Sequence, residues 1–189
     1  MTNNIKPARF IAIDASTTSL AFALFDFGKI VNLGKIKFEG EDIYQKCIDA
    51  AQKVKSLFSL EIFFNSSIVI EHTVFMNSPK TAADLAMVQG AIIGAAGTSG
   101  ITEIGKVSPI TWQNYIGNKP FSKEQKLEIR SKNPGKSDAW YKSFERNLRK
   151  QKTVDLIEIY YDKVVDDYDV ADACGIGHWA LNNWNKAVM

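Results

Sequence analysis

The hydrophobic positions of the chain change period several times, and each change predicts an element. Residues 10–13 and 20–25 are short apolar runs rich in β-branched and aromatic side chains. The small residues Ala15 to Ser19 separate them, which predicts two strands joined by a turn. Asp26-Phe27-Gly28-Lys29 reads as a hairpin turn into a third strand at 30–38, so three antiparallel strands in a row are expected. From 41 to 60 the period becomes helical: Ile43, Cys47, Ala50, Ala51, Val54, Leu57 and Phe58 fall on one face. A fourth strand, SIVIE, covers 67–71. Ser78-Pro79 then opens a helix over about 79–96. Its small residues Ala82, Ala83, Ala86, Gly90, Ala91, Gly94 and Ala95 suit close packing on a sheet. Residues 102–107 predict a fifth strand and 111–116 a short helix. A long helix over 137–163 is anchored by Trp140, Phe144, Leu148, Leu156, Ile159 and Tyr160, and a last helix spans about 169–183. The order βββαβαβα, with an insertion before the final helix, implies an α/β fold: a five-stranded mixed sheet flanked by helices.

At 189 residues the chain suits one domain, 1–189, with a sizeable core, and no internal repeat or low-complexity tract divides it. A hydrophobic fraction of 46% excludes global disorder. The formal charge of +2 hides a segregation. Residues 118–152 carry eleven Lys or Arg against four Asp or Glu, a local charge of +7 that leaves −5 elsewhere. Pro120, Pro134 and Gly135 break this basic insertion into pieces. Its charge points to a polyanionic partner. Cys47 and Cys174 match no metal-ligand spacing, which suits a reducing compartment. The segment MTNNIKPARF lacks the apolar stretch of a signal peptide, and no window approaches the length needed to cross a bilayer. A soluble, cytoplasmic protein with no membrane partner is expected.

Candidate chemistry sits on carboxylates. Asp14 ends the first strand and Glu71 the fourth, while Asp169 and Asp172, three apart, share one face of the last helix. If that helix's first turn packs beside the two strand ends, all four converge. Such a group needs cations, because like charges raise each other's pKa. Oxygen ligands without a Cys or His cluster favour Mg²⁺ or Mn²⁺, and two ions suit in-line attack on a phosphodiester. Plainer readings exist: Asp14 as a turn cap, Asp169 as a helix N-cap and Asp172 as a first-turn charge. Spacing alone does not choose between them. Asp166 and Asp167 read as a solvated acidic loop, and either replaces Asp169 if the helix starts elsewhere. His72, next to Glu71, is expected on the opposite face. His178 reads as structural, and Trp112, Trp140, Trp179 and Trp184 as core or interface anchors. No Walker-type loop or Ser-His-Asp arrangement is present, so no nucleotide cofactor is expected.

The segments IAIDASTTSLAFALFD, IVIEHTVFMNSPKTAADLAMVQGAIIGAA, KVSP and DVADACGIGHWAL run in this order over most of the chain. Together they resemble the RuvC-type Holliday junction resolvases of the RNase H-like superfamily. The first segment alone also resembles the opening of actin-like and sugar-kinase ATPases; strand-end Glu71 with the D-x-x-D-A helix is the more telling part. The resemblance implies two Mg²⁺ ions, with Mn²⁺ as substitute, on Asp14, Glu71, Asp169 and Asp172, of which Asp169 falls on a position that varies in such enzymes. It implies hydrolysis of four-way DNA junctions by paired symmetric nicks, leaving a 5′-phosphate and a 3′-hydroxyl. It also implies a homodimer to which the helix after Glu71 contributes. The family's base-stacking aromatic corresponds to Phe75, one residue further on than in the bacterial pattern, where a hydrophobic contact anchoring the loop is the equal alternative. Its lysine near the scissile phosphate falls among Arg149, Lys150 and Lys152, which spacing does not separate. The segment 118–148 is longer than the bacterial pattern. The alternatives are a nuclease of broader branch specificity, acting on flaps, forks and three-way junctions, or a catalytically inactive junction-binding protein. An actin-like ATPase needs two such lobes, and this chain supplies one.

Overall fold

The computed structural model of the chain describes residues 6–72 and 78–188. Five strands form one mixed sheet, β1 (Arg9–Ala15), β2 (Ser19–Asp26), β3 (Lys29–Lys37), β4 (Ser67–Glu71) and β5 (Ile104–Val107), in the order β3-β2-β1-β4-β5. β1, β2 and β3 are antiparallel, and β4 and β5 add in parallel on the other side of β1. The β2–β3 hairpin turns on Phe27 and Gly28, with φ of 44° and 82°. Positive φ at both central residues gives a turn whose twist matches that of the strands. The helices are α1 (Ile43–Phe58), α2 (Pro79–Thr98), α3 (Pro109–Tyr115), α4 (Lys123–Lys132), α5 (Asp138–Tyr161) and α6 (Tyr168–Ala187). The expected five-stranded mixed sheet flanked by helices is therefore present.

Strand alternation divides the core in two. Ile11, Ile13, Phe22, Leu24, Ile68 and Ile70 face Ala50, Val54 and Phe58 of α1 and Val88 and Ile92 of α2. Phe10, Ala12, Ala21, Ala23, Phe25 and Val69 face the other way, onto Val170, Ala173, Cys174, Ile176 and Ala180 of α6. The alanines keep that side of the sheet low, and two glycines bring α6 down onto it. A Cβ on Gly177 would lie 2.0 Å from Phe25 Cε2, and one on Gly175 would lie 2.8 Å from Trp112 Cζ3. Overpacking of this kind costs about 1–3 kcal/mol or more. The close seat of α6 carries its first turn to the ends of β1 and β4.

Three expectations need correction. Of the small residues expected to pack on the sheet only Ala95 is buried: the buried residues of α2 are Leu85, Val88, Gln89, Ile92, Ala95 and Ala96, a regular helical stripe. Cβ atoms built on Gly90, Gly94 and Gly97 meet nothing within 4 Å, so the small-residue face points outward. In α5 the buried residues are Tyr141, Thr153 and Ile157. Ile159 and Tyr160 are 79% and 65% exposed, because only the turns of α5 that cross α6 have a surface to pack on. The fifth strand begins at Ile104 rather than residue 102, and α6 starts one residue earlier than expected and ends at Ala187. Among the described residues no helix is long and apolar enough to cross a membrane.

Candidate metal centre

Asp14 lies near the end of β1 on the α6 side of the sheet, in the same alternation as Phe10 and Ala12. β1 and β4 pair in parallel up to Ile13 and Ile70, so Asp14 and Glu71 are the next residues on neighbouring strands and share that face. The α6 start is capped by Asp167, whose Oδ1 accepts from the N–H groups of Asp169 and Val170 at 2.8 and 3.2 Å. Asp169 is thus a first-turn residue and not the N-cap, and Asp167 is a capping and pairing group and not a free loop acid. Carboxylate oxygens of Asp14, Asp169 and Asp172 come within 4.8 Å of one another. Glu71 lines the same cavity, of about 630 Å³, but is not one of this closest three.

The electrostatics separate the four acids. Burial, and then the charges of Glu71, Asp172 and Asp169, push Asp14 well above the usual carboxylate range against the pull of Lys150. Burial raises Asp172 to about 7, with Lys150 opposing and Glu71 and Asp169 reinforcing. Glu71 is raised by burial, which a hydrogen bond from Trp112 opposes. Asp169 is also raised by burial, but Lys35 and Lys150 outweigh this and hold it below the ordinary value. Asp14, Glu71 and Asp172, half-buried acids that resist ionisation next to one another, make a place where a divalent cation is stabilised. The all-oxygen donor set of the Asp14–Asp169–Asp172 cluster, with no Cys or His in it, suits a hard ion such as Mg²⁺.

Two lysines meet the cluster. Lys150 Nζ donates to Asp169 Oδ1 at 2.9 Å and lies 3.8 Å from Asp172 Oδ2. Lys35 Nζ donates to Asp169 Oδ2 at 2.6 Å and to Asp167 Oδ2 at 3.0 Å. Of the three basic residues that spacing could not separate, Lys150 is the one at the carboxylates. Arg149 also lines the cavity, but its guanidinium donates to Gln113 Oε1 at 2.7 Å and to the Asn118 carbonyl at 3.1 Å, fastening α5 to α3 and the segment after it. Lys152 lies 4.8 Å over the Phe121 ring and does not line the cavity. Phe75 lies outside the described residues. His178 is a packing residue, as expected, with Nδ1 bonded to the Tyr161 hydroxyl at 2.8 Å.

Sequence reasoning missed Lys35, Arg146 on the cavity wall, and the polar role of Trp112. Lys35 was hidden by a register shift between Leu24 and Phe25. Counted back from the hairpin without that bulge, Gly34 would stand opposite Ala21 and Lys35 would face α1 and α2. With it, Lys35 stands opposite Ala21, which stands opposite Asp14. Trp112 carried a readable signal in Ser108-Pro109, a helix start just past the fifth strand, but nothing in sequence aims an indole.

No protein-family model matches this sequence, and no curated protein matches it. Solved structures do match its backbone, two RuvC structures among them. RuvC of T. thermophilus in complex with a Holliday junction substrate aligns with a TM-score of 0.64 and 12% identity over 95% of this chain and 98% of that one. A second Thermus thermophilus RuvC structure gives 0.63 and 12% over 95% and 97%. The likeness takes in nearly the whole of both chains, and the fold of this protein is the RuvC-type, RNase H-like fold.

Proposed function

We propose that this protein is a metal-dependent endonuclease that resolves four-way DNA junctions by paired symmetric nicks. The observation that carries this reading is the convergence of Asp14, Asp169 and Asp172 within 4.8 Å, with Glu71 on the same cavity and Lys150 against the cluster, on a RuvC-type fold. Mg²⁺, or Mn²⁺ in its place, would be held by Asp14, Glu71, Asp169 and Asp172 as a pair of ions, and would lower the pKa of the attacking water and neutralise the leaving oxygen. The chain's own residues do the rest. The half-buried acids would give up their protons as cations bind and supply the negative charge that holds them at one point. Lys150 has its ammonium at the mouth of that cluster, where it can exchange a carboxylate for a phosphate oxygen and steady the charge that develops on it. Arg146 and Arg149 on the cavity wall, with Lys152 further along α5, give the strand's phosphates a path into the site without reading bases. Hydrolysis leaves a 5′-phosphate and a 3′-hydroxyl. Two symmetric nicks need two sites, so the active species is a two-fold dimer. The outward face of α2, with Met87 and Ile93 37% and 40% exposed beside its open glycines, suits that contact. Phe75, on the segment that follows Glu71, is proposed to stack on a base at the crossover.

The test is cleavage of labelled four-way, three-way, flap and linear duplexes in Mg²⁺. Paired symmetric nicks in the four-way junction alone support the proposal. Equal cutting of every branched form makes the protein a general branch nuclease, and binding without cutting in any divalent metal makes it a junction-binding protein.

A further inference from the structure

Four carboxylates surround one cavity, yet Glu71 stands outside the closest three. Its Oε2 is already engaged: Trp112 Nε1 donates to it across 2.5 Å. An indole offers one donor and no acceptor, and a buried one must find a partner. Here the partner is a carboxylate oxygen. Trp112 is 1% exposed, and its ring is wedged against Gly175 of α6, where a Cβ would come within 2.8 Å of it. α3 holds it in place from below, since Ser108 caps that helix and its carbonyl accepts from the Trp112 N–H. The other end of Glu71 is fixed separately: Gln89 Nε2 of α2 donates to its carbonyl at 2.8 Å. Among the described residues, no other side chain or backbone group donates to the Glu71 carboxylate, so Oε1 is the oxygen left for a ligand.

We infer that Trp112 is a positioning residue for Glu71: its indole N–H holds Oε2 so that Oε1 alone is presented to the divalent cation. The inference rests on the metal-dependent reading of the site, though not on the identity of the DNA. It differs from simple packing in what it predicts for a substitution that keeps the ring. A partner that orients a metal ligand typically contributes ten- to a hundredfold in metal affinity or activity.

The experiment is Mn²⁺ binding to the protein without DNA, read as free Mn²⁺ by electron paramagnetic resonance. Wild type, Trp112→Phe, Glu71→Gln and the double variant are compared. Trp112→Phe is expected to weaken Mn²⁺ binding about tenfold and to have no further effect in the Glu71→Gln background. Unchanged Mn²⁺ affinity in Trp112→Phe overturns the inference, and so does an equal loss with and without Glu71. If the ring substitution fails to fold, indole ¹⁵N–¹H spectra of wild type and Glu71→Gln replace it. The indole peak that moves on Glu71→Gln must also move on saturation with Mg²⁺, and a peak that stays still overturns the assignment. A protein that binds Mn²⁺ through Glu71 and Trp112 but cuts no branched DNA removes the nuclease proposal and leaves this inference standing.

Discussion

Lys35, on the edge strand β3, donates to Asp169 across 2.6 Å, joining the sheet to the first turn of a helix 134 residues later in the chain. The same ammonium reaches Asp167, the cap of that helix. One cation thus fixes both where α6 starts and where one oxygen of Asp169 points. Lys35→Ala is expected to lower turnover on a four-way junction about tenfold while junction affinity stays within about twofold. The pair is partly exposed, so the melting temperature should fall by only about 2–4 °C. Unchanged turnover would mean that Asp169 needs no brace.

Lys150 and Lys152 are two residues apart, yet their surroundings predict different roles. Lys150 faces Asp169 and Asp172, whereas Lys152 lies over Phe121. Lys150→Ala should lower single-turnover cleavage by about 10²-fold, the usual loss when one charge-stabilising donor is removed. Lys152→Ala should reduce the slope of log affinity against log salt by about one and leave turnover nearly intact. The reverse pattern would place the strand on the other side of α5.

Stability against pH offers a test that needs no DNA. Asp172 is raised from 3.8 to about 7, so between those values the native state holds a proton that the unfolded chain has lost. The contribution of this proton to native stability is therefore fully present below pH 3.8, drains away as pH rises to about 7 and is gone above it. The change is worth about 4 kcal/mol, on the order of 10 °C for a chain of this length. His178, held low by burial, acts in the opposite sense below its ordinary value, so the reference is Asp172→Asn and not wild type alone. Metal-free wild type should lose thermal stability relative to Asp172→Asn as pH rises from about 4 to about 7, and Mg²⁺ should restore it. Parallel melting curves for the two proteins would show that Asp172 titrates normally.

The proposed dimer can be tested at α2. Ile93→Lys puts a charge on its outward face without touching the buried stripe of Leu85, Val88, Ile92 and Ala96. Sedimentation should then give a monomer, and junctions should receive single nicks in place of paired ones. A variant that stays dimeric and still nicks in pairs would move the interface elsewhere.

Much of this architecture was legible in the sequence because its signals are local. Short apolar runs rich in β-branched and aromatic residues, the Phe27-Gly28 turn and the Ser-Pro helix starts each act over a few residues, and the strand-end acids Asp14 and Glu71 followed from them. The partners of those acids were not legible. Lys35 depends on a bulge that one strand cannot reveal, and Trp112 depends on Gly175 letting a ring slide under α6. The choice among Arg149, Lys150 and Lys152 depends on the rotation of α5, which Asn118 and Thr153 fix through a buried hydrogen bond of 3.1 Å. The outward turn of the α2 glycines was misread for a related reason. Small residues pack closely wherever a partner exists, and Leu85, Val88 and Ile92 had already taken the sheet side.

The central claim is that the Asp14–Asp169–Asp172 cluster is a metal-dependent phosphodiesterase site. The most direct measurement is single-turnover cleavage of a four-way junction by Asp14→Asn in Mg²⁺, with junction binding measured on the same protein. The amide keeps the size of the side chain and removes a charge that would hold the cation and repel phosphate. The predicted result is no detectable cleavage with junction affinity equal to or tighter than wild type. Cleavage by Asp14→Asn at a rate near that of wild type would contradict the claim.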